Sequence, residues 1–288
     1  MNLKEIKRTA KAAAAALSVA ILVSAAGSVQ AQPNENAIGL VNAQNEIFTF
    51  NTSDPTTTWN VYGVSGLNSG DTLKSIDWFG GVLWGLGNLG NLYAIDPNSG
   101  AAALHGSFGP VSGSYWGMDA TGAGIRIVTE QDVNMLINYA GTVLQNGPAL
   151  TPSTLNIAAI ASYGGTLYGA DSPSTITPGQ LDTINTGTGA VTLVGSMGTL
   201  VSRVNGFDIS QLSGAAGYGW YASQAGSGVG FSQLFTVNLA TGQANTMGTF
   251  ALESGQFVGG LTLVPEPATS ALVALGGAGL LAMMRRRK

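Results

Sequence analysis

The sequence predicts an all-β fold, a five-bladed β-propeller, on three observations. Five strand-and-turn anchors recur at spacings of 45, 42, 47 and 53 residues. A second series of short apolar strands keeps step with the first. The pieces at the two ends of the repeat region also complement one another. A period of about 45 residues is the length of a four-stranded blade.

The elements follow in order along the chain. Ala37-Ile38-Gly39-Leu40 is an apolar strand with no partner before it, and Ile47-Phe48-Thr49-Phe50 runs into Asn51 ahead of a Pro55 turn. A short strand ends at Ile76-Asp77, Leu83-Trp84-Gly85-Leu86 begins six residues after Asp77, and Leu92 to Ile95 alternates into Asp96. Four residues later Gly100 supplies the left-handed conformation that closes a hairpin. The same order returns at Met118-Asp119, Ile125 to Val128 and Met135 to Asn138, where the glycine is Gly141. It returns again at Ile160-Ala161, Leu167 to Ala170 and Leu181 to Asn185, with Gly189. The last copy runs from Phe207-Asp208 across a Gly/Ser insert to Trp220-Tyr221-Ala222, then Leu234 to Asn238 and Gly242. Phe257 to Leu263 is left as a first strand without a blade. Pairing it with Ala37 to Leu40 closes a ring and leaves no long open edge. An open solenoid of the same repeats is the alternative. The repeat resembles an uncharacterised propeller-like family of exported bacterial proteins, which implies a fold and no chemistry.

The ends of the chain read as targeting segments. Lys4, Lys7, Arg8 and Lys11 form a basic stretch before the apolar run Ala12 to Ala26, and Val29-Gln30-Ala31 is a small-x-small site. Residues 1–31 are therefore expected to be a signal peptide, cut by signal peptidase after Ala31. At the other end Val264-Pro265-Glu266-Pro267 precedes an uncharged stretch, 268–284, and the basic tail Arg285-Arg286-Arg287-Lys288. That stretch is just long enough for a short transmembrane helix, and four cations behind it would stay cytoplasmic. Tripeptide, apolar stretch and Arg cluster together resemble the PEP-CTERM sorting signal of Gram-negative bacteria. The resemblance implies a membrane-embedded exosortase as partner, cleavage near the tripeptide, and transient anchoring in the inner membrane. Delivery to the cell surface or the exopolysaccharide matrix would follow. Residues 32–263 are then the ectodomain and 264–288 the sorting signal.

Charge narrows the function. Between residues 32 and 267 three basic residues, Lys74, Arg126 and Arg203, stand against fourteen acids, a net charge of −11. Phosphate neutralisation needs a basic surface, so nucleic acid is excluded as a partner. Cysteine is absent. This removes thiol catalysis and disulfides together, and the core alone must hold the fold.

The candidate sites are few. Gly85-Leu86-Gly87-Asn88-Leu89-Gly90 matches a dinucleotide fingerprint in letters but leads into a strand, where the fingerprint needs a helix. Asp96-Pro97-Asn98-Ser99-Gly100 opens like a calcium loop and lacks its twelfth-position Glu, so it reads as a turn. Asp77, Asp119 and Asp208 occupy equivalent positions on successive blades and are expected to converge on the axis. There they would either hold a divalent cation such as Ca²⁺ or accept hydrogen bonds from the next strand, with Ala161 and Thr262 interrupting the ring. No other cofactor is indicated. Most aromatics suit blade packing, whereas Tyr115, Trp116, Trp220 and Tyr221, beside Gly and Ser, are the candidates for a glycan patch. His105 is placed in a Gly/Ser-rich turn without a partner, and no nucleophile elbow is present. The expected function is a non-enzymatic protein of the cell surface or exopolysaccharide matrix. The alternatives are a glycan- or Ca²⁺-binding module and, less favoured, a glycan-processing enzyme.

Overall fold

The computed structural model describes residues 34–41, 44–172, 177–225 and 231–265. Five four-stranded antiparallel sheets follow one another around an axis. Blade 1 holds β1 (Asn36–Val41), β2 (Glu46–Asn51) and β3 (Asp54–Gly63). Blade 2 is β4 (Leu73–Phe79), β5 (Val82–Gly87), β6 (Asn91–Ile95) and β7 (Ala102–Ser107). Blade 3 is β8 (Trp116–Thr121), β9 (Gly124–Thr129), β10 (Asn134–Ile137) and β11 (Val143–Asn146). Blade 4 is β12 (Ile157–Tyr163), β13 (Thr166–Asp171), β14 (Gln180–Ile184) and β15 (Val191–Ser196). Blade 5 is β16 (Val201–Asp208), β17 (Tyr218–Ala225), β18 (Ser232–Asn238) and β19 (Ala244–Thr249).

The final strand, β20 (Val258–Val264), is the inner strand of blade 1. It pairs antiparallel with β1, Ala37 opposite Leu263 and Gly39 opposite Leu261. The sequence-based closure is therefore the one observed. The inner strands β4, β8, β12, β16 and β20 touch in that order, and β20 touches β4 again.

Each of the five seams between blades carries its own apolar cluster. The seam between blades 5 and 1 packs Phe48 and Phe50 against Phe250, edge to face, with Trp220, Leu234 and Leu261. The seam between blades 4 and 5 holds Leu181, Phe207, Tyr221 and Phe235. That between blades 3 and 4 is aliphatic, with Val128, Leu150, Ile157 and Ile184. Both faces of the inner strands are consequently buried, whereas the outer strands β7, β11 and β15 stay largely exposed, and each seam adds apolar area removed from water.

One element was not expected. The insert after Asp208 forms a short helix, α1 (Gln211–Ala215). Ser210 caps it by accepting from the Leu212 and Ser213 backbone N–H groups, and the Ser213 hydroxyl accepts from the Ser210 N–H. Ser-x-x-Ser thus acts as a capping box, in which the usual partner of the first Ser is Glu or Gln.

No helix among the described residues is long and apolar enough to cross a membrane. The expected span 268–284, Ala31, Glu266, Pro267, Arg285, Arg286, Arg287 and Lys288 lie outside the described residues.

Candidate functional site

Asp77, Asp119 and Asp208 do meet at one end of the axis, each near the end of an inner strand. Asp77 Oδ2 accepts a hydrogen bond from the Ala120 N–H of the next blade (2.5 Å). Asp119 accepts from the Ser162 N–H (3.0 Å) and from the Ser162 hydroxyl. Asp208 Oδ2 accepts from the Leu263 N–H (2.6 Å). In each case the donor N–H belongs to the residue after the equivalent position on the following blade.

Thr262 does not interrupt this ring, contrary to expectation. Its Oγ1 accepts from the Trp78 N–H (2.9 Å) and so plays the part of a carboxylate oxygen. Ala161 is the true gap, and the Ile209 N–H that would face it turns to Asp208 Oδ1 instead (2.6 Å). Four of the five inner strands are latched to their successors by a side chain.

The latch also brings two carboxyl groups to one hydroxyl. The Thr262 hydroxyl lies 2.9 Å from Asp77 Oδ1 and 3.1 Å from Asp208 Oδ2. One hydroxyl carries one hydrogen and can donate to one of them. The other contact is a hydrogen bond when that carboxyl is itself protonated. Electrostatics agree: burial, followed by the Asp208 and Asp119 charges, holds Asp77 well above the ordinary carboxylate range. Burial also raises Asp208, to about 6, and raises Asp119 against the pull of the Ser162 bonds and Arg126.

This use of the oxygens matches the hydrogen-bonding alternative for the three aspartates. Every carboxylate oxygen of the three aspartates accepts a hydrogen bond from a backbone or hydroxyl donor. Among the described residues no group of three His, Cys, Asp or Glu is arranged to hold a metal ion. The ring ties neighbouring blades together through these bonds.

The glycan candidates separate. Trp220 and Tyr221 are 0% exposed, and Trp116 is buried as well. Trp220 points into the seam with blade 1 and Tyr221 into the seam with blade 4, so neither offers a face to a sugar. Tyr115 stays half-buried at the opposite mouth of the axis. A groove of about 400 Å³ between blades 1 and 2 brings half-buried Trp78 together with Thr49, Asn60, Asn98 and Pro265. A second of about 400 Å³ lies between blades 3 and 4, where Asp119, Arg126, Ser162 and Thr186 surround Leu136 and Leu167. By sequence Trp78 falls among the packing aromatics; its place near the end of an inner strand was the available signal.

The remaining motifs resolve into turns and strands. Gly87 and Gly90 belong to the hairpin of β5 and β6. Asp96 accepts from the Asn98 N–H and the Ser99 hydroxyl, an Asx turn. His105 lies on β7 and not in a turn, with Nδ1 on the Tyr139 carbonyl and its ring edge-on to Trp84 at 4.9 Å.

Comparison with known proteins adds two matches along the chain. A family model described as a domain of unknown function, DUF4394, matches residues 46–262, and the PEP-CTERM protein-sorting motif matches residues 263–288. No curated protein matches the sequence. Among solved structures, a chain of a nidogen/laminin complex superposes with a TM-score of 0.50 at 11% identity, covering 80% of this chain and 98% of its own. A structural-genomics protein of unknown function from Bacteroides thetaiotaomicron gives 0.47 at 14% identity, covering 78% of this chain and 63% of its own. At such identities the likeness concerns the fold alone.

Proposed function

The chain belongs to the DUF4394 family, and on that premise we propose that it is a non-enzymatic protein of the cell surface or exopolysaccharide matrix. The sorting motif implies export and processing by an exosortase-type enzyme. The single observation that carries the reading is how the motif joins the fold. The ring-closing strand β20 ends at Val264, Pro265 is exposed immediately after it, and the motif match begins at residue 263. No linker separates the propeller from the signal, so the whole folded ring is the cargo. On this reading signal peptidase cuts after Ala31, stretch 268–284 holds the protein in the inner membrane, and cleavage near Pro265-Glu266-Pro267 hands it on.

The non-enzymatic part rests on how the reactive groups are employed. The axial carboxylates are bound to backbone donors, His105 is engaged by the Tyr139 carbonyl, and cysteine is absent. A second reading, a glycan-binding module, is favoured by the groove around Trp78, since sugars stack on aromatic faces and hydrogen-bond to Asn and Thr. Changing Pro265 and Glu266 together to Ala tests the sorting claim in a host that has the sorting enzyme. Cell fractionation should find the parent released and the variant held in the membrane. Equal release of the two would contradict the reading.

A further inference from the structure

The chain enters and leaves the ring at one place. β1 begins at Asn36 and β20 ends at Val264, and these two residues lie opposite one another. The place is the end of the axis that carries the aspartate latches, since the Leu263 N–H donates to Asp208 and the Thr262 hydroxyl contacts Asp77. Only Pro265, Glu266 and Pro267 separate β20 from the uncharged stretch 268–284. An extended chain spans about 3.5 Å per residue, so that stretch starts within about 14 Å of Val264. The face at this end of the ring is held equally close to whatever the stretch enters.

The chemistry of that face is an independent observation. Its inner connections, Gly80-Gly81, Gly122-Ala123, Gly164-Gly165 and residues 209–217, carry no charged side chain. Beside them Phe79 is 36% and Leu212 61% exposed, while Trp78 and Tyr163 are half-buried. Among the described residues its fully exposed charges are Asp54 and Asp96, both in outer turns, where Thr56, Thr57 and Ser99 hydrogen-bond to them. The opposite end of the blades presents Glu46, Lys74, Glu130, Asp132, Arg203 and Glu253.

We propose that this face lies on the lipid headgroups of the membrane for as long as the chain carries its sorting signal. Phe79 and Leu212 enter the interfacial layer with Trp78 and Tyr163 at its edge, where aromatic side chains are at home. Uncharged connections leave no ion to desolvate against lipid. Few apolar contacts suffice, because the short tether makes the contact intramolecular and so raises the effective concentration of the face at the bilayer. The charged end of the blades then points away from the membrane. The inference rests on the reading that 268–284 anchors the protein, and goes beyond it by naming the surface that meets the bilayer.

Single cysteines report on the contact, because the chain has none of its own. Ala123→Cys and Leu212→Cys place a thiol on this face in blades 3 and 5, and Glu253→Cys places one at the opposite end; all three side chains are exposed. Each full-length variant, sorting signal included, is labelled with a fluorophore, reconstituted into phosphatidylcholine vesicles and floated on a density gradient. Melting temperatures equal to the parent's show that the ring is intact. Lipids spin-labelled at the headgroup should then quench the fluorophores at positions 123 and 212 severalfold more than the one at 253. If the protein floats and either position on the face is quenched no more than 253, this inference is overturned and the anchoring reading stands. Protein that does not float with the vesicles would overturn the anchoring reading and this inference with it.

Discussion

A single hydroxyl joins three blades. Thr262, on the ring-closing strand of blade 1, accepts from Trp78 of blade 2 and contacts Asp208 of blade 5. Thr262→Val keeps the shape of the side chain and removes those bonds, so it should cost roughly 1 to 3 kcal/mol, read in a denaturant melt. The pH dependence follows from the same cluster. Asp208 is raised to about 6 and Asp182, buried in blade 4, to about 7, both chiefly by burial. The native state therefore keeps protons that the unfolded chain has released above its ordinary carboxylate pKa of about 4. That contribution is complete below about pH 4 and is lost as pH rises through about 6 and 7. Melting temperature should consequently fall from about pH 5 to about pH 8, and Asp208→Asn should flatten the slope. The convergence of the aspartates was legible from their equivalent positions. The role of Thr262 was not, because a hydroxyl in a carboxylate's place reads as a missing ligand when a metal is the hypothesis.

Glycine does more than turn the chain in the hairpins that follow the Asx anchors. Gly100, Gly141, Gly189 and Gly242 all have positive φ, near +75°. A Cβ on Gly189 would also collide with the backbone of Ala149, in the preceding blade, and one on Gly242 with that of Gly195. These turns are thus contacts between blades. Gly189→Ala should cost roughly 2 to 4 kcal/mol, from the left-handed strain and from the displaced neighbour together. Gly80→Ala, also at positive φ but with open space around it, should cost about 1 to 2 kcal/mol. Chemical denaturation of both variants measures the difference. The strands and their turns were legible because alternation and Asx-Gly spacing are local signals. Which aromatics face water was not. Trp220 and Tyr221 are neighbours on one strand and point to opposite faces, a pattern that on a half-exposed sheet would leave one of them out. Here both faces of that strand are covered, so both are buried.

At the scale of the molecule the ring is closed by its own C-terminal strand, which spares blade 1 an open edge and places the sorting motif against the fold. The closure was legible because the two incomplete pieces at the ends of the repeat add up to one blade. The chain has no cysteine of its own, so an introduced pair reports on one contact. Asn36 and Val264 are directly opposite in the pairing of β1 with β20, and both are partly buried. The double substitution Asn36→Cys with Val264→Cys should form a disulfide in the native protein. The oxidised form should be more stable than the reduced one by about 4 kcal/mol or more for so long a loop. The control combines Val264→Cys with Val61→Cys on the outer strand β3, and this pair should stay reduced under the same conditions. If the 36–264 pair fails to link in the folded protein and links only after denaturation, the ring is not closed by β20.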